Sequence, residues 1–148
     1  MSEWTDKDTK EFIENLELFS DLRAEDRTAL VGKARLRSYS PNELILQRGE
    51  AGSSLFIIAR GKARITLEGP KGHQDVSILE AGDFFGEIAM LTRAHRTATV
   101  TAVGETVLLE LGSRDVLALA EKNADFEKRI ARTGARRSRE SLSKLIDD

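Results

Sequence analysis

The chain has 148 residues, 40% hydrophobic and 32% charged, with a formal net charge of −2. This length suits one domain with a sizeable core, and the near-neutral charge argues against a general nucleic-acid binder. The sequence contains no cysteine, which excludes disulfides and thiolate chemistry. The polar N-terminus is unlike a signal peptide, and the longest apolar runs, Leu55–Ala59 and Val107–Leu111, are too short to span a bilayer. We therefore expect a cytoplasmic protein.

Apolar residues recur at helical spacing in the first part of the chain. They are Phe12, Ile13, Leu16, Phe19 and Leu22. This spacing predicts a helix, for which Thr5 or Asp6 is a suitable N-cap. A second helix is predicted to start near Ser20 or Arg23. Its apolar face would comprise Leu22, Leu30, Val31, Ala34 and Leu36. We assign residues 1–38 to an N-terminal helical segment.

The pattern changes at Tyr39, where short apolar runs separated by turn residues begin. Such runs predict strands. They are Leu44–Leu46, Leu55–Ala59, Ala63–Leu67, Val76–Leu79, Thr97–Val103 and Thr106–Leu111. Several short strands at regular spacing favour a sandwich or barrel over crossover helices. We assign residues 39–112 to this β-rich unit.

The helical pattern returns after Gly112, and Ser113 is a suitable N-cap. The stretch from Asn123 to Ile146 predicts one helix, or two helices divided at Gly134. Its far end carries an apolar stripe formed by Leu142, Leu145 and Ile146. That stripe allows a helical homodimer contact or folding back on the domain. Residues 113–148 are therefore predicted to be C-terminal helices, and the fold class is α+β.

Two charged residues in residues 85–100, FGEIAMLTRAHRTATV, suggest chemistry. Glu87 and Arg96 are nine residues apart, which fits either a structural ion pair or two separate ligand contacts. A helix starting near Gly86 would direct free N–H groups at an anion, and Arg96 can bind a phosphate with two hydrogen bonds. The Glu87 carboxylate repels phosphate but can accept from a sugar hydroxyl. Together these parts describe a site for a ribose and a phosphate side by side.

The ordered string FGE-hydrophobic-A-x-L, four residues, then RTATV closely resembles the phosphate-binding cassette of cyclic-nucleotide-binding domains. That family includes protein kinase A regulatory subunits, cyclic-nucleotide-gated channels and the bacterial catabolite activator. Gly49-Glu50, Gly61 and Gly82-Asp83 also match the family's turns. The resemblance implies one cyclic-nucleotide-binding domain. Its fold would be an antiparallel, jelly-roll-like β-roll between N-terminal helices and C-terminal B and C helices.

The resemblance also implies roles for cassette residues. Glu87 would accept a hydrogen bond from the ribose 2′-hydroxyl, and Arg96 would pair with the cyclic phosphate. Backbone N–H groups near Gly86, Ile88 and Ala89 would complete the anion site. Thr97, beside Ala98 in the same site, would contact the phosphate or a guanine amino group, or would be a strand residue with no ligand role.

The base is expected on the inner face of the roll. Ile65, Leu67 and Val76 are the predicted contacts there, with plain core packing as the alternative for each. In the family a side chain of the C helix often caps the base, and Arg136 and Arg137 fall in that region. A solvated charged surface is the alternative for this pair.

The sequence therefore predicts a sensor that binds cAMP, cGMP or both. In this hypothesis the ligand closes the cassette and repositions the C-terminal helix, which passes the signal to an unidentified effector. The main alternative is a vestigial interaction module that binds no ligand.

An enzyme would need a metal cluster or a nucleophile–base pair, and two separated histidines without cysteine supply neither. We expect no metal, no cofactor and no membrane segment. Nucleic-acid binding by the basic run Lys128–Arg139 is less favoured, because acidic residues flank it and no aromatic residue interrupts it.

Overall fold

The computed structural model describes residues 3–47, 49, 54–69, 72–86 and 98–133, with the backbone alone at 68, 69 and 73–76. Within these ranges, helices precede and follow a β-rich region. The first helices are α1 (Asp6–Asn15), a 3₁₀ turn (Glu17–Phe19) and α2 (Ala24–Lys33). The strands are β1 (Arg35–Tyr39), β2 (Leu44–Leu46), β3 (Leu55–Arg60), β4 (Lys62–Gly69), β5 (Gly72–Glu80), β6 (Phe84–Phe85), β7 (Thr99–Ala102) and β8 (Thr106–Leu111). The last helices are α3 (Ser113–Lys122) and α4 (124–133).

The strands form two antiparallel sheets. Sheet A has the order β1-β8-β3-β6, and sheet B has the order β2-β7-β4-β5. Neighbours in these orders are mostly distant in sequence, so the chain crosses repeatedly between the sheets, as in a β-roll. This arrangement confirms the predicted α+β class with flanking helices.

Alternation along β3 divides the apolar side chains into two cores. Leu55 and Ile57 face the helices, whereas Phe56 and Ile58 face sheet B, and all four are buried. The helix-side core joins sheet A to all four helices. The inner core, between the sheets, contains Leu46, Phe56, Ile58, Ala63, Leu79, Phe85, Val100 and Leu108. Because each buried Leu or Ile stabilises by roughly 1.5–3 kcal/mol, β3 contributes to stability through both faces.

The first strand begins before the predicted boundary. β1 starts at Arg35 rather than Tyr39, so the predicted placement of Leu36 on a helix face is wrong. Leu36 instead pairs with Leu109 across the sheet and is 44% exposed. Leu36 continues the helical spacing of the preceding apolar residues only by coincidence. The helix α2 ends at Lys33, and Ala34 already has an extended backbone.

The observed starts of the helices agree in part with the starts predicted from the sequence. Thr5 caps α1, as predicted, in a capping box: its hydroxyl accepts from the Asp8 N–H at 3.2 Å, and the Asp8 carboxylate accepts from the Thr5 N–H at 2.8 Å. The predicted start of α2 near Arg23 is also confirmed, with Arg23 as its N-cap. Ser113 is not the N-cap of α3, because Gly112 holds that position and Ser113 is the first helical residue.

The first part of α4 is anchored in the helix-side core. Phe126 and Ile130 are 0% and 1% exposed, and the Phe126 ring lies 6.0 Å from the ring of Phe19. On the rim of this contact, Arg129 Nε donates to the Asp21 carboxylate at 2.9 Å. A second contact, from Arg129 Nη1 to Glu17, is 3.4 Å long, and the Glu17 side chain is 88% exposed. Since exposed ion pairs contribute little, the apolar contact dominates the docking.

Glu110 links three parts of sheet A. Its carboxylate accepts from Arg37 Nε in β1 at 2.9 Å and from the Ser54 hydroxyl just before β3 at 2.7 Å. Partial burial alone would raise the pKa of Glu110. The hydrogen bonds from Ser54 and Arg37 and the charges of Arg37 and Arg35 outweigh burial, so the pKa of Glu110 lies below its usual value.

We expect Phe126→Ala to lower the free energy of unfolding by about 3–5 kcal/mol, because it leaves a cavity in the helix-side core. Arg129→Ala should cost no more than about 1 kcal/mol, because its ion pairs are open to solvent. Urea unfolding of both variants measures the two values. A larger loss in Arg129→Ala than in Phe126→Ala would show that charge, not apolar packing, holds α4.

We expect Glu110→Gln to lower the stability by about 0.5–1 kcal/mol at neutral pH, a small value because the Arg37 side chain is 46% exposed. The folded pKa is depressed, so the carboxylate's contribution is complete above its unfolded pKa and is lost as the pH falls through the folded value. Urea unfolding from pH 7 to pH 3 should therefore show the variant and the wild type converging in acid. A difference that stays constant to pH 3 would contradict this assignment.

Candidate functional site

The predicted ligand residues fall partly within the described residues. Gly86, Ala98, Ile65 and Leu67 are described in full, and Val76 through its backbone. The other predicted positions lie outside the described residues. They are Glu87, Ile88, Ala89, Arg96, Thr97, Arg136 and Arg137. The structure therefore defines the two ends of the cassette and the strand surfaces beside it.

The strand leading into the cassette, β6, is anchored on both faces. β6 pairs with β3 at the edge of sheet A. Phe84 lies in the helix-side core, while the Phe85 ring stacks on Phe56 in the inner core, with centroids 5.3 Å apart and planes 14° apart. The sequence prediction missed β6, because two residues are too few to show a strand period.

The turn before β6 is fixed by hydrogen bonds to the middle of β3. The Gly82 N–H donates to the Ile58 carbonyl at 2.8 Å, and the Ile58 N–H donates to the Asp83 carbonyl at 2.9 Å. The Asp83 carboxylate also accepts from the Glu80 N–H at 2.9 Å. This turn sets where the chain leaves the roll towards the cassette.

Gly86 has a φ of +90°, a left-handed conformation that other residues adopt only with strain. It directly follows the anchored Phe85 and directly precedes Glu87 in the sequence. The glycine of the FGE motif is therefore required by backbone geometry, whether or not a ligand approaches it.

The other end of the cassette joins the second sheet. Ala98 is half-buried and leads into β7, which lies between β2 and β4 in sheet B. Val100 of β7 is buried and pairs with Ile65 of β4. The intervening segment 87–97 thus connects the edge of sheet A to an interior strand of sheet B, and an ordinary hairpin would not make that connection.

Two of the predicted contacts share the inner face of sheet B. Ile65 packs against the inner core, and Leu67, two residues along β4, points to the same side by alternation. Ala98 directly precedes β7 and is not part of that strand. Both Ile65 and Leu67 are only half-buried, so the surface remains partly open.

Val76 lies at a β-bulge. The β4–β5 register passes from Ile65↔Ser77 to Thr66↔Asp75, which leaves Val76 as the additional residue. Simple alternation of inward and outward residues does not apply across a bulge, so it does not support the expected position of Val76 on the inner face. Ser77 takes the place directly opposite Ile65, and the sequence prediction did not include it.

Other kinds of site were also sought in the described part of the chain. There, no group of three or more histidine, cysteine, aspartate or glutamate side chains could hold a metal ion. None of the described helices is long and apolar enough to cross a membrane.

Comparison with known proteins adds independent support. Residues 36–123, more than half of the chain, match the family described as the cyclic nucleotide-binding domain. The chain is 39% identical over 97 residues to the cAMP-dependent protein kinase regulatory subunit of Mycosarcoma maydis, covering 66% of this chain and 18% of that protein. It is 30% identical over 110 residues to the cGMP-dependent protein kinase of Eimeria tenella, covering 74% of this chain and 10% of that protein.

A solved structure shows the same fold. The catabolite activator protein of Thermus thermophilus matches with a TM-score of 0.73 and 31% identity, over 86% of this chain and 61% of that one. The chain spans less than two-thirds of the length of each of these three relatives. With two antiparallel sheets, flanking helices and a family match over more than half of its length, the chain belongs to the cyclic nucleotide-binding domain family.

Proposed function

We propose that this chain is a regulatory module that binds cAMP, cGMP or both in the cassette between its two sheets. The observation that carries the proposal is the anchoring of both cassette ends. Phe85 and Gly86 fix the entry on sheet A, and Ala98 and Val100 fix the exit on sheet B. A segment held at both ends loses less conformational entropy when it closes on a ligand than a free loop does.

In this proposal the cassette residues divide the ligand between them. Glu87 accepts from the ribose 2′-hydroxyl, and Arg96 pairs with the cyclic phosphate. The left-handed turn at Gly86 directs the following N–H groups, near Ile88 and Ala89, to the same anion. A carboxylate and a guanidinium at separate positions suit a ligand that carries both a hydroxyl and a phosphate. The Glu87 carboxylate then accepts from the hydroxyl and the Arg96 guanidinium pairs with the phosphate, so the carboxylate does not repel the phosphate.

The base would lie on the half-buried inner face of sheet B. Ile65 and Leu67 form an apolar surface there, and Val76 adjoins it at the bulge. Arg136 or Arg137 would stack on the outer face of the base. Thr97 is the cassette residue that would help to select guanine. Relatives named for cAMP and for cGMP both align with this chain, so competition between the two nucleotides decides the preference.

Binding would be transmitted through the C-terminal helices. A ligand shifts a conformational equilibrium only by the difference between its affinities for the two states. α4 starts in the helix-side core at Phe126 and Ile130, so contacts of the later residues Arg136 and Arg137 with the base would supply that difference. We further propose that the C-terminal helices pass the signal to an effector. The apolar stripe formed by Leu142, Leu145 and Ile146 would make a homodimer contact.

We also propose that the N-terminal helical segment, the β-rich unit and the C-terminal helices act together as one regulatory domain in the cytoplasm, without catalytic activity of its own. In the alternative hypothesis, a vestigial interaction module, the same fold would bind neither nucleotide. Calorimetry with cAMP and cGMP separates the two: micromolar or tighter binding of either supports the sensor, and no heat with either supports the alternative.

We expect Arg96→Ala to weaken nucleotide binding by about 2–5 kcal/mol, the cost of removing one partner of a desolvated charged pair. Arg93→Ala is the matched control, because it removes the same charge from the same segment and should leave the affinity within about twofold. Calorimetry on both variants, with circular dichroism to verify folding, makes the comparison. Equal affinities for folded Arg96→Ala and the wild type would place the phosphate elsewhere.

We expect Gly86→Ala to destabilise the fold by about 1–2 kcal/mol and to weaken binding, because alanine is strained at this φ. Gly32→Ala is the control: Gly32 lies inside α2 with open space around a Cβ, so alanine should stabilise by about 0.5–1 kcal/mol. Urea unfolding and calorimetry measure both effects. If Gly86→Ala were as stable as the wild type, the left-handed turn would not be a constraint.

A further inference from the structure

We propose that the free edge of β1 is an interaction surface, which accepts an extended acidic segment of a partner protein as an additional strand of sheet A. The partner segment would alternate carboxylate and apolar side chains, and its backbone would hydrogen-bond to Arg35–Tyr39. In sheet A, β1 lies at the edge opposite to β6, the strand that enters the cassette. The inference therefore goes beyond the proposed function and does not depend on nucleotide binding.

The first observation is the regularity of this edge. All five residues of β1 pair with β8 in unbroken register. The other three edges of the two sheets are interrupted or short: β6 has two residues, β2 has three residues and a register shift, and β5 has the bulge at Val76. Short strands and bulges protect sheet edges against pairing with other chains. Of the four edges, β1 is the one that has neither protection.

The second observation concerns the backbone of β1. In an antiparallel pair every second residue bonds to the neighbouring strand, and the residues between direct their N–H and C=O groups outwards. The first four residues of β1, Arg35–Ser38, are exposed. Within the described part of the chain, β8 is the strand that pairs with β1, and the turn, loop and cap hydrogen bonds involve none of Arg35–Tyr39. The outward groups of β1 are therefore accessible to a further strand.

The third observation is the charge along the edge. Cations stand at every second position, namely Lys33, Arg35 and Arg37. Lys33 Nζ lies 3.3 Å from the Asp115 carboxylate, and Arg37 Nε lies 2.9 Å from the Glu110 carboxylate. Arg35 forms no ion pair with any other residue of the described ranges. The edge therefore has an unmatched positive charge, which favours an acidic partner.

The fourth observation is the apolar side chain between the two arginines of β1. Leu36 pairs with Leu109, which is 1% exposed in the helix-side core, whereas Leu36 itself is 44% exposed. An apolar side chain opposite Leu36 on an added strand would cover it. Because side chains alternate along a strand, the neighbouring side chains of that added strand would then face Arg35 and Arg37. The edge thus matches an acid–apolar–acid pattern.

Charge also disfavours a second copy of this chain as the added strand. An antiparallel two-fold pairing centred on Leu36 would place Arg35 directly opposite Arg37 of the other copy. A pairing centred on Arg37 would place the two Arg37 side chains opposite each other. Like charges directly opposite in a sheet are destabilising. In strand addition the main-chain hydrogen bonds supply affinity and the alternate side chains supply specificity, so an acidic segment fits where a second copy does not.

The test uses the whole chain and a capped, fluorescent heptapeptide of alternating glutamate and valine, with binding followed by anisotropy. A lysine–valine heptapeptide is the control for charge. Two further peptides carry N-methyl groups on the odd or on the even residues, because an added strand turns only every second N–H towards its neighbour. Amide chemical shifts of the protein, measured by NMR, locate the contact.

The protein variants test the charge of the edge. Arg35→Glu reverses it, and Arg35→Ala, which adds no new charge, serves as a second variant if the reversal impairs folding. Arg114→Glu is the matched control, because Arg114 is also an exposed arginine but lies in α3. Circular dichroism verifies the fold of each variant.

We expect saturable binding of the glutamate–valine peptide with a Kd below about 1 mM, and no binding of the lysine–valine peptide. The amides of residues 35–39 should shift. One N-methylated peptide should bind like the parent and the other should not bind. Arg35→Glu should weaken binding by about 3–10-fold and Arg35→Ala by about 2–5-fold, while Arg114→Glu should stay within about twofold of the wild type.

Four results would overturn the assignment. One is no binding of the glutamate–valine peptide, and another is unchanged affinity in folded Arg35→Glu. Equal binding of both N-methylated peptides would indicate attraction by charge alone, without strand addition. Dimerisation of the wild type that shifts the amides of residues 35–39 would make a second copy the occupant of this edge.

Discussion

The burial of β3 on both faces is the constraint on which the rest of the structure depends. Leu55 and Ile57 belong to the core under the helices, and Phe56 and Ile58 belong to the core between the sheets. Because successive strand residues alternate, a register slip of one residue would exchange the two sets and break both cores. The hydrogen bonds between Ile58 and the turn at Gly82 and Asp83 extend this fixed register to the cassette entry.

The cassette site follows from that register. Phe84 and Phe85 repeat the two-sided pattern of β3, one ring in each core, so the chain reaches Gly86 from a strand that cannot easily rotate. The exit strand belongs to the other sheet. In the proposed site, a ligand held between the two ends would adjoin both sheets, because the entry belongs to sheet A and the exit belongs to sheet B.

The sequence predicts the fold class and most strands, because these depend on local periodicity. It also gives Thr5 or Asp6 as the N-cap of α1, and the structure selects Thr5. It fails where the pattern is short or misleading. β6 has only two residues, and Leu36 fits a helical repeat while lying in β1. Beside the cassette, Ile65 and Leu67 were expected on the inner face of the roll, and alternation along β4 puts both on one side of sheet B. The inward position of Ser77 could not be predicted, because it depends on the pairing register and on the bulge at Val76. The roles of Glu87 and Arg96 remain predictions from the motif.

Energies limit how a ligand signal can travel through α4. Phe126 and Ile130 are fully buried, and each stabilises the docked helix by roughly 1.5–3 kcal/mol. Allosteric coupling free energies are typically 1–3 kcal/mol, less than the cost of undocking both side chains. The ion pairs of Arg129 with Asp21 and Glu17 strengthen the same contact at its exposed rim. The start of α4 should therefore move only together with the 3₁₀ turn that carries Phe19, so independent movement of the C-terminal region would have to arise beyond the anchor at Ile130.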